Sequence, residues 1–206
     1  IIVTPFGVNI NIFCPKKVNS IFGPDDFVIG TIKTLEKNYG LEYLIKAFHL
    51  IKEKYSEKRL KLILVGKGSE KSSLENLVRK LGIQDDTVFT GFIDSTFIPE
   101  YHNMIHINVI PSINESFGVS AVEAMACGKP VIASNIGGLK EIIENGITGI
   151  LVEKQNPNAI AEALDKLIND PILREKLGQA ARNKVINDYN WTNSLHQMIS
   201  IYNSIK

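Results

Sequence analysis

Short runs of aliphatic and β-branched residues alternate with stretches of helical spacing through the first two-thirds of the chain, and this alternation constrains the fold more than any other feature. The runs are Phe27 to Ile32, Leu60 to Val65, Thr87 to Thr90, His106 to Ile110 and Pro130 to Ala133, short enough to be strands. Their apolar content predicts burial on both faces. Between them, Leu41, Leu44, Ile45, Phe48 and Ile51 recur at helical spacing, as do Leu74, Leu77, Val78 and Leu81 before the terminator Gly82. Strands that alternate with helices imply a parallel sheet with right-handed crossovers, an α/β Rossmann-like fold with helices on both faces. Val119 to Cys127 reads as a helix stopped by Gly128 and Pro130. After Gly149-Ile-Leu-Val152 only helices follow. Asn156 caps one at Pro157, Asp170 caps one at Pro171, and Trp191 to Ile205 forms an amphipathic tail. We expect residues 1–188 to form one domain and 189–206 to be a helix packed onto it.

Bulk properties remove several function classes. The chain has 206 residues, enough for one substantial core. Its net charge is +1, from 23 basic and 22 acidic residues mixed along the sequence, so there is no field to hold a nucleic acid. The two cysteines, Cys14 and Cys127, form no Cys-x-x-Cys or Cys/His cluster. That argues against disulfides and structural zinc and fits a reducing, cytoplasmic setting. The longest apolar run, Leu62 to Val65, is far short of the roughly 20 residues that span a bilayer, so no direct membrane insertion is expected. The sequence starts at Ile1 without an initiator Met, inside what reads as a strand and turn (Ile1 to Gly7), and is read as a piece of a longer protein.

In an open parallel sheet, ligands bind beyond the carboxyl ends of the strands. Those positions hold glycine and polar groups here: Gly30 to Lys33, Gly66-Lys-Gly68, Gly91, Pro111-Ser-Ile-Asn-Glu115 and Ser134-Asn-Ile-Gly-Gly138. Any one glycine can be a plain turn; five such edges favour a ligand. The fourth leads through Glu115-Ser-Phe-Gly118 into a helix whose first free N–H groups belong to about Gly118, Val119 and Ser120, an end that attracts anions. Glu123 lies within this helix among small apolar residues, where an exposed charge is unexpected. Its spacing from Glu115 alone is weak evidence, and both also read as solvated glutamates. His102 and His106 stand four apart, but no third ligand lies nearby, and a structural role is the better reading. Gly66-Lys-Gly68 fits neither the dinucleotide fingerprint nor the phosphate loop.

Pro111-Ser-x2-Glu-Ser-Phe-Gly118, followed by Glu123-Ala-Met-Ala-x-Gly-x-Pro-Val-Ile-Ala and Gly137-Gly138, resembles the donor domain of glycosyltransferase family 4. Further matches are Gly7-Val-Asn-x3-Phe13, Val65-Gly-x-Gly68, Val88-Phe-x-Gly-Phe92, Gly146-x2-Gly149 and Tyr-Asn-Trp191, so the resemblance covers nearly the whole chain. It implies one lobe of a two-lobed GT-B enzyme that transfers a sugar, with retention, from a UDP- or GDP-linked donor to a glycan or lipid-linked acceptor. The acceptor would be held by an amino-terminal lobe outside this chain, and the isolated chain would be inactive. By the same resemblance Glu115 contacts the donor sugar over the reaction centre and Glu123 the ribose. Gly118, Val119 and Ser120 offer N–H groups to sugar or diphosphate oxygens, Val88, Phe92 and Ile93 lie near the base, and Phe117, Ser112 and Gly66 complete the donor site.

No Asp-x-Asp motif occurs, so the resemblance implies a metal-independent enzyme without a cofactor, in which fixed cations neutralise the departing diphosphate. Lys33 stands where the family has arginine, and Asn38 occupies the usual lysine place, leaving Lys37 one residue out of register. Lysine lacks arginine's bidentate fork. Family habit further implies polysaccharide or cell-envelope assembly, peripheral at the inner membrane face. A GT-B epimerase or phosphorylase, or a fragment that only binds nucleotide, remain as alternatives, separable by their products.

Overall fold

The computed structural model describes residues 6–204. Six strands form one sheet: β1 (Phe27–Ile32), β2 (Leu60–Val65), β3 (Thr87–Gly91), β4 (Ile107–Ile110), β5 (Val131–Ser134) and β6 (Ile150–Val152). All neighbouring pairs are parallel, and their order across the sheet is β3-β2-β1-β4-β5-β6. The chain builds outward from β1 in one direction, then returns to its other side with β4. The winding therefore reverses between β1 and β4, and such a reversal opens a crevice at the carboxyl ends of those two strands.

Among the described residues there are eight α-helices: α1 (Leu41–Lys54), α2 (Lys71–Lys80), α3 (Ile98–Met104), α4 (Val119–Ala126), α5 (Leu139–Ile142), α6 (Pro157–Asn169), α7 (Pro171–Asp188) and α8 (Trp191–Ser204). On one face the apolar stripes of α1, α2 and α6 close over Ile29, Leu62, Leu64, Val109 and Ile132. On the other, α4 and α7 bury Ile110, Val131 and Ala133, while Ile105 seals a third cluster with Val28, Ile32, Ile63 and Val65. The two late helices begin as their caps require: Asn156 Oδ1 accepts from Ala159 N at 3.0 Å and Asp170 Oδ1 from Leu173 N at 2.8 Å. A cap of this kind is worth about 1 kcal/mol.

Four expectations need correction. β3 is only partly buried at every residue, because it is an edge strand with a neighbour on one side alone. A sixth strand follows Gly149; its three residues are too few to show a period. His106 and Pro130 both precede their strands. His106 is exposed, and its Nδ1 accepts the N–H of Val28 at 3.0 Å. Helix α8 does not pack along its length: only Ser194 is buried, while Trp191, Leu195, Met198, Ile199 and Tyr202 stay exposed. α7 turns its own buried residues, Leu177, Gly178, Ala181 and Val185, inward and meets α4. α8 is tied down at its first turn by Trp191 N donating to Val8 O at 3.0 Å and by Phe6 edge-on to Trp191. The expected strand and turn at Ile1 to Gly7 falls mostly outside the described residues, as does Ile205.

Candidate functional site

Lys33, the first residue beyond β1, reaches across the reversal point to the loop after β4 and donates from Nζ to Glu115 Oε2 at 2.6 Å. The two side chains are 14% and 10% exposed, so the pair is shielded from screening by solvent. Ser112 Oγ donates to the same carboxylate oxygen at 3.1 Å, and the Lys33 ammonium lies 4.2 Å from the centre of the Tyr39 ring. The crevice thus holds a cation and an anion at the ends of the two strands where the winding reverses.

Both loops are held by backbone. Lys33 N donates to Val65 O at 2.9 Å and Leu35 N to Lys67 O at 2.9 Å, so the first and second loops run on as a ladder past the strands. Gly66, at φ 142°, makes this possible: a Cβ there would fall 2.1 Å from Lys33 O. Glu36 clasps the same loop, accepting from Ser69 N at 2.9 Å and from Ser69 Oγ at 2.6 Å. Those bonds, the hydroxyl's foremost, hold the Glu36 carboxyl below its usual range. The Glu115 loop is pinned from two sides. Ile113 N donates to Asn38 O at 2.8 Å, and Gly137, at φ 40°, lies so close that a Cβ would be 2.2 Å from Glu115 O.

α4 starts at Gly118, with φ 108°. Ala121 N and Val122 N donate to Gly118 O, whereas the N–H groups of Gly118, Val119 and Ser120 have no partner among the described residues. Such a helix end carries a partial positive charge and three free donors. Further along α4, Ala121, Val122, Ala124, Met125 and Ala126 are buried, while Glu123 keeps a side chain 18% exposed beside His102. A pocket of about 300 Å³ continues from Lys33 across the ends of β1, β2 and β3, walled by Ile32, Phe92, Ile93 and Ile98, with Gly66 on its floor. Lys67 stands at its rim, its ammonium 4.9 Å from the centre of the exposed Phe92 ring.

The expected site residues therefore divide. Lys33, Glu115, Gly118, Val119, Ser120 and Glu123 share the Lys33, β4-loop and α4 region, and Gly66, Phe92 and Ile93 line the adjoining pocket. Val88 does not line it; it packs behind, against the Val28 and Ile63 cluster. Phe117 is engaged in packing, edge-on to Phe6 and to Tyr189. The Ser112 hydroxyl is fully buried and directed at Glu115, so it orients that carboxylate. Lys37, in a single 3-10 turn (Lys37–Tyr39), is exposed and faces a recess shared with Glu36, Glu42 and Glu70. It makes no hydrogen bond or ion pair with Glu115. Lys67, Ile98 and Tyr39 were not foreseen. Lys67 was visible as the variable position of Val65-Gly-x-Gly68; the other two come from contacts between distant elements.

Residues 16–184 match the family model described as glycosyl transferases group 1. An uncharacterized glycosyltransferase of Methanocaldococcus jannaschii is 35% identical over 204 residues, 97% of this chain and 52% of that protein. Among solved structures, sucrose-phosphate synthase from Thermosynechococcus elongatus superposes with a TM-score of 0.87 at 30% identity, covering 98% of this chain and 52% of its own. The carboxyl-terminal domain of a group 1 glycosyl transferase from Francisella tularensis does so with a TM-score of 0.79 at 30% identity, over 90% of this chain and all of that domain. The chain thus spans about half the length of the full-length proteins it matches.

Proposed function

The chain belongs to the glycosyl transferases of group 1 and has the fold of one GT-B lobe; on that premise we propose that it is the donor-binding half of a retaining, metal-independent transferase using a UDP- or GDP-linked sugar. The acceptor, a glycan or a lipid-linked glycan, meets the other half, and the chain alone binds donor without transferring it. The observation that carries this reading is the Lys33–Glu115 pair set at the winding reversal beside the three free N–H groups of α4.

The chemistry follows from those charges. The diphosphate lies against the N–H groups of Gly118, Val119 and Ser120, and its negative charge draws Lys33 away from Glu115. The freed carboxylate accepts hydrogen bonds from the sugar hydroxyls, while Glu123 takes the ribose. The base enters the pocket walled by Ile32 and Ile93 and stacks on Phe92, with Lys67 at its edge. In transfer, the bond from the anomeric carbon to the phosphate oxygen breaks and its electron pair leaves with the diphosphate. The acceptor oxygen bonds to the same face of that carbon, and its proton passes to the departing phosphate oxygen. Lys33 and the helix end stabilise the charge that develops there, fixed before reaction so that no reorganisation is needed. Glu115 stabilises the positive sugar in between. Cytoplasmic placement in polysaccharide or cell-envelope assembly belongs to the same proposal.

Calorimetry of the chain with UDP, GDP and their sugar conjugates tests this directly. We expect saturable binding of one nucleoside diphosphate, weakened about 10- to 100-fold in Lys33→Met by loss of one charge-assisted phosphate contact. A folded chain that binds neither nucleotide would remove the donor-site reading.

A further inference from the structure

His102, on α3, is completely buried between β4 and α4. Its Nδ1 lies 3.3 Å from Asn108 Oδ1 and its Nε2 lies 3.3 Å from Glu123 Oε2. The Phe13 ring stands edge-on to the imidazole, so both ring nitrogens are confined to these two partners. Asn108 is itself buried, and its Nδ2 has no hydrogen-bond partner.

These facts conflict as they stand, and the conflict has one economical resolution. A carboxylate only accepts, so Nε2 carries a proton; a ring protonated at Nδ1 as well would satisfy the Asn108 oxygen yet leave the buried Asn108 N–H groups unbonded, whereas a neutral ring presents a lone pair at Nδ1. That lone pair faces the Asn108 oxygen, acceptor against acceptor, while the Asn108 amide N–H groups are buried with nothing to bond. An unpartnered buried polar group keeps the full cost of its lost hydration. Oxygen and nitrogen of an amide are assigned from their surroundings, and exchanging them removes the acceptor clash: Asn108 then donates to Nδ1, and Nε2–H donates to Glu123.

We infer that Asn108 and His102 form a buried relay that holds His102 as the neutral Nε2–H tautomer and fixes the Glu123 carboxylate in one orientation. His102 bonds to Oε2, leaving Oε1 as the acceptor for the donor's ribose hydroxyls. His102 is therefore a positioning residue, acting through Glu123 and not on the ligand. This role rests on the donor-site reading above; the tautomer does not.

Two measurements separate these levels. Nitrogen-15 NMR of the histidine ring, on the nucleotide-free chain above neutral pH, should show Nε2 protonated and Nδ1 as a hydrogen-bonded acceptor. A ring protonated at both nitrogens, or at Nδ1 alone, overturns the relay. Calorimetry then compares UDP and GDP with their 2′,3′-dideoxy forms. The natural chain should prefer the hydroxylated nucleotide, and His102→Phe should lower that preference about tenfold while leaving the dideoxy form unaffected. His102→Gln, whose amide N–H stands in for Nε2–H, should keep most of the preference, and it serves if the Phe variant fails to fold. Equal weakening of both nucleotides would make His102 a packing residue and refute the positioning role. So would equal binding of both by the natural chain, with the nucleotide site itself left standing. If the natural chain binds no nucleotide, the donor-site reading and the positioning role built on it both fall, and the NMR result alone decides the relay.

Discussion

Glu115 and Glu123 stand eight residues apart, one in the loop before α4 and one within that helix, yet their surroundings are built on opposite plans. The loop around Glu115 is assembled from distant parts of the chain: Lys33 and Ser112 bind its carboxylate, Asn38 holds the preceding turn, and Gly137 presses on its carbonyl. Its chief partner is a full positive charge. Glu123 is placed by one turn of α4 and by the fully buried side chain of His102. In the proposed donor complex a diphosphate would compete with Glu115 for Lys33 and leave the His102 contact untouched. The first carboxylate is thus set up to exchange partners, the second to stay as it is, and reactivity and affinity should separate along that line.

The largest effect should test that separation. In the enzyme carrying both halves, Glu115→Ala and Lys33→Ala should each lower kcat about 100- to 1,000-fold with the fold intact. Glu123→Ala should act mainly on KM for the donor. Because Lys33 and Glu115 contact each other, the double variant should lose less than the product of the single losses. Steady-state kinetics with near-normal turnover in either single variant would end the assignment of reactivity to the loop.

Next in size is the scaffold beneath the loop. Gly137→Ala places a methyl group against the Glu115 carbonyl at a positive φ, an overpacking that costs about 1–3 kcal/mol. For a chain of this size each kcal/mol lowers the melting temperature by roughly 2–4 °C, which calorimetric melting resolves. An unchanged melting temperature would mean that the loop shifts freely, and the contrast with the helix-borne Glu123 would disappear.

The same contrast accounts for what was legible in the sequence. β1 and β2 could be read to the residue, because a buried strand is a bounded apolar run and the helix after it has its own period. The α4 region was legible for the same local reasons: a glycine start, a run of small residues and a glycine stop. What escaped depends on long-range placement. Lys37 and Lys33 look alike in sequence, and only the ladder through Gly66 directs Lys33 into the crevice and leaves Lys37 outside it. Tail helix α8 has an apolar stripe like that of any core helix, but no pattern in it tells whether a surface is there to receive it. The His102 and Asn108 pairing with Glu123 joins three elements and has no signature at all.

The smallest effect concerns the clasp on the Lys33 side. Glu36 accepts from the hydroxyl and the N–H of Ser69, and its carboxyl is held below its ordinary 4.5 by those two bonds. A carboxyl lowered in the folded state stabilises that state above the unfolded value, and the contribution is lost as pH falls through the folded value. The clasp should therefore stay closed at neutral pH and open only below 4.5. The Ser69 amide resonance reports this directly, since its N–H is one of the donors: its shift should titrate with a midpoint below 4.5 and become flat in Glu36→Gln. A midpoint at or above 4.5 would remove the clasp. At neutral pH Glu36→Ala should weaken nucleotide binding by only about threefold, because Gly66 and the backbone ladder still hold Lys33. A much larger loss would show that this side chain, and not the backbone, sets the cation in place.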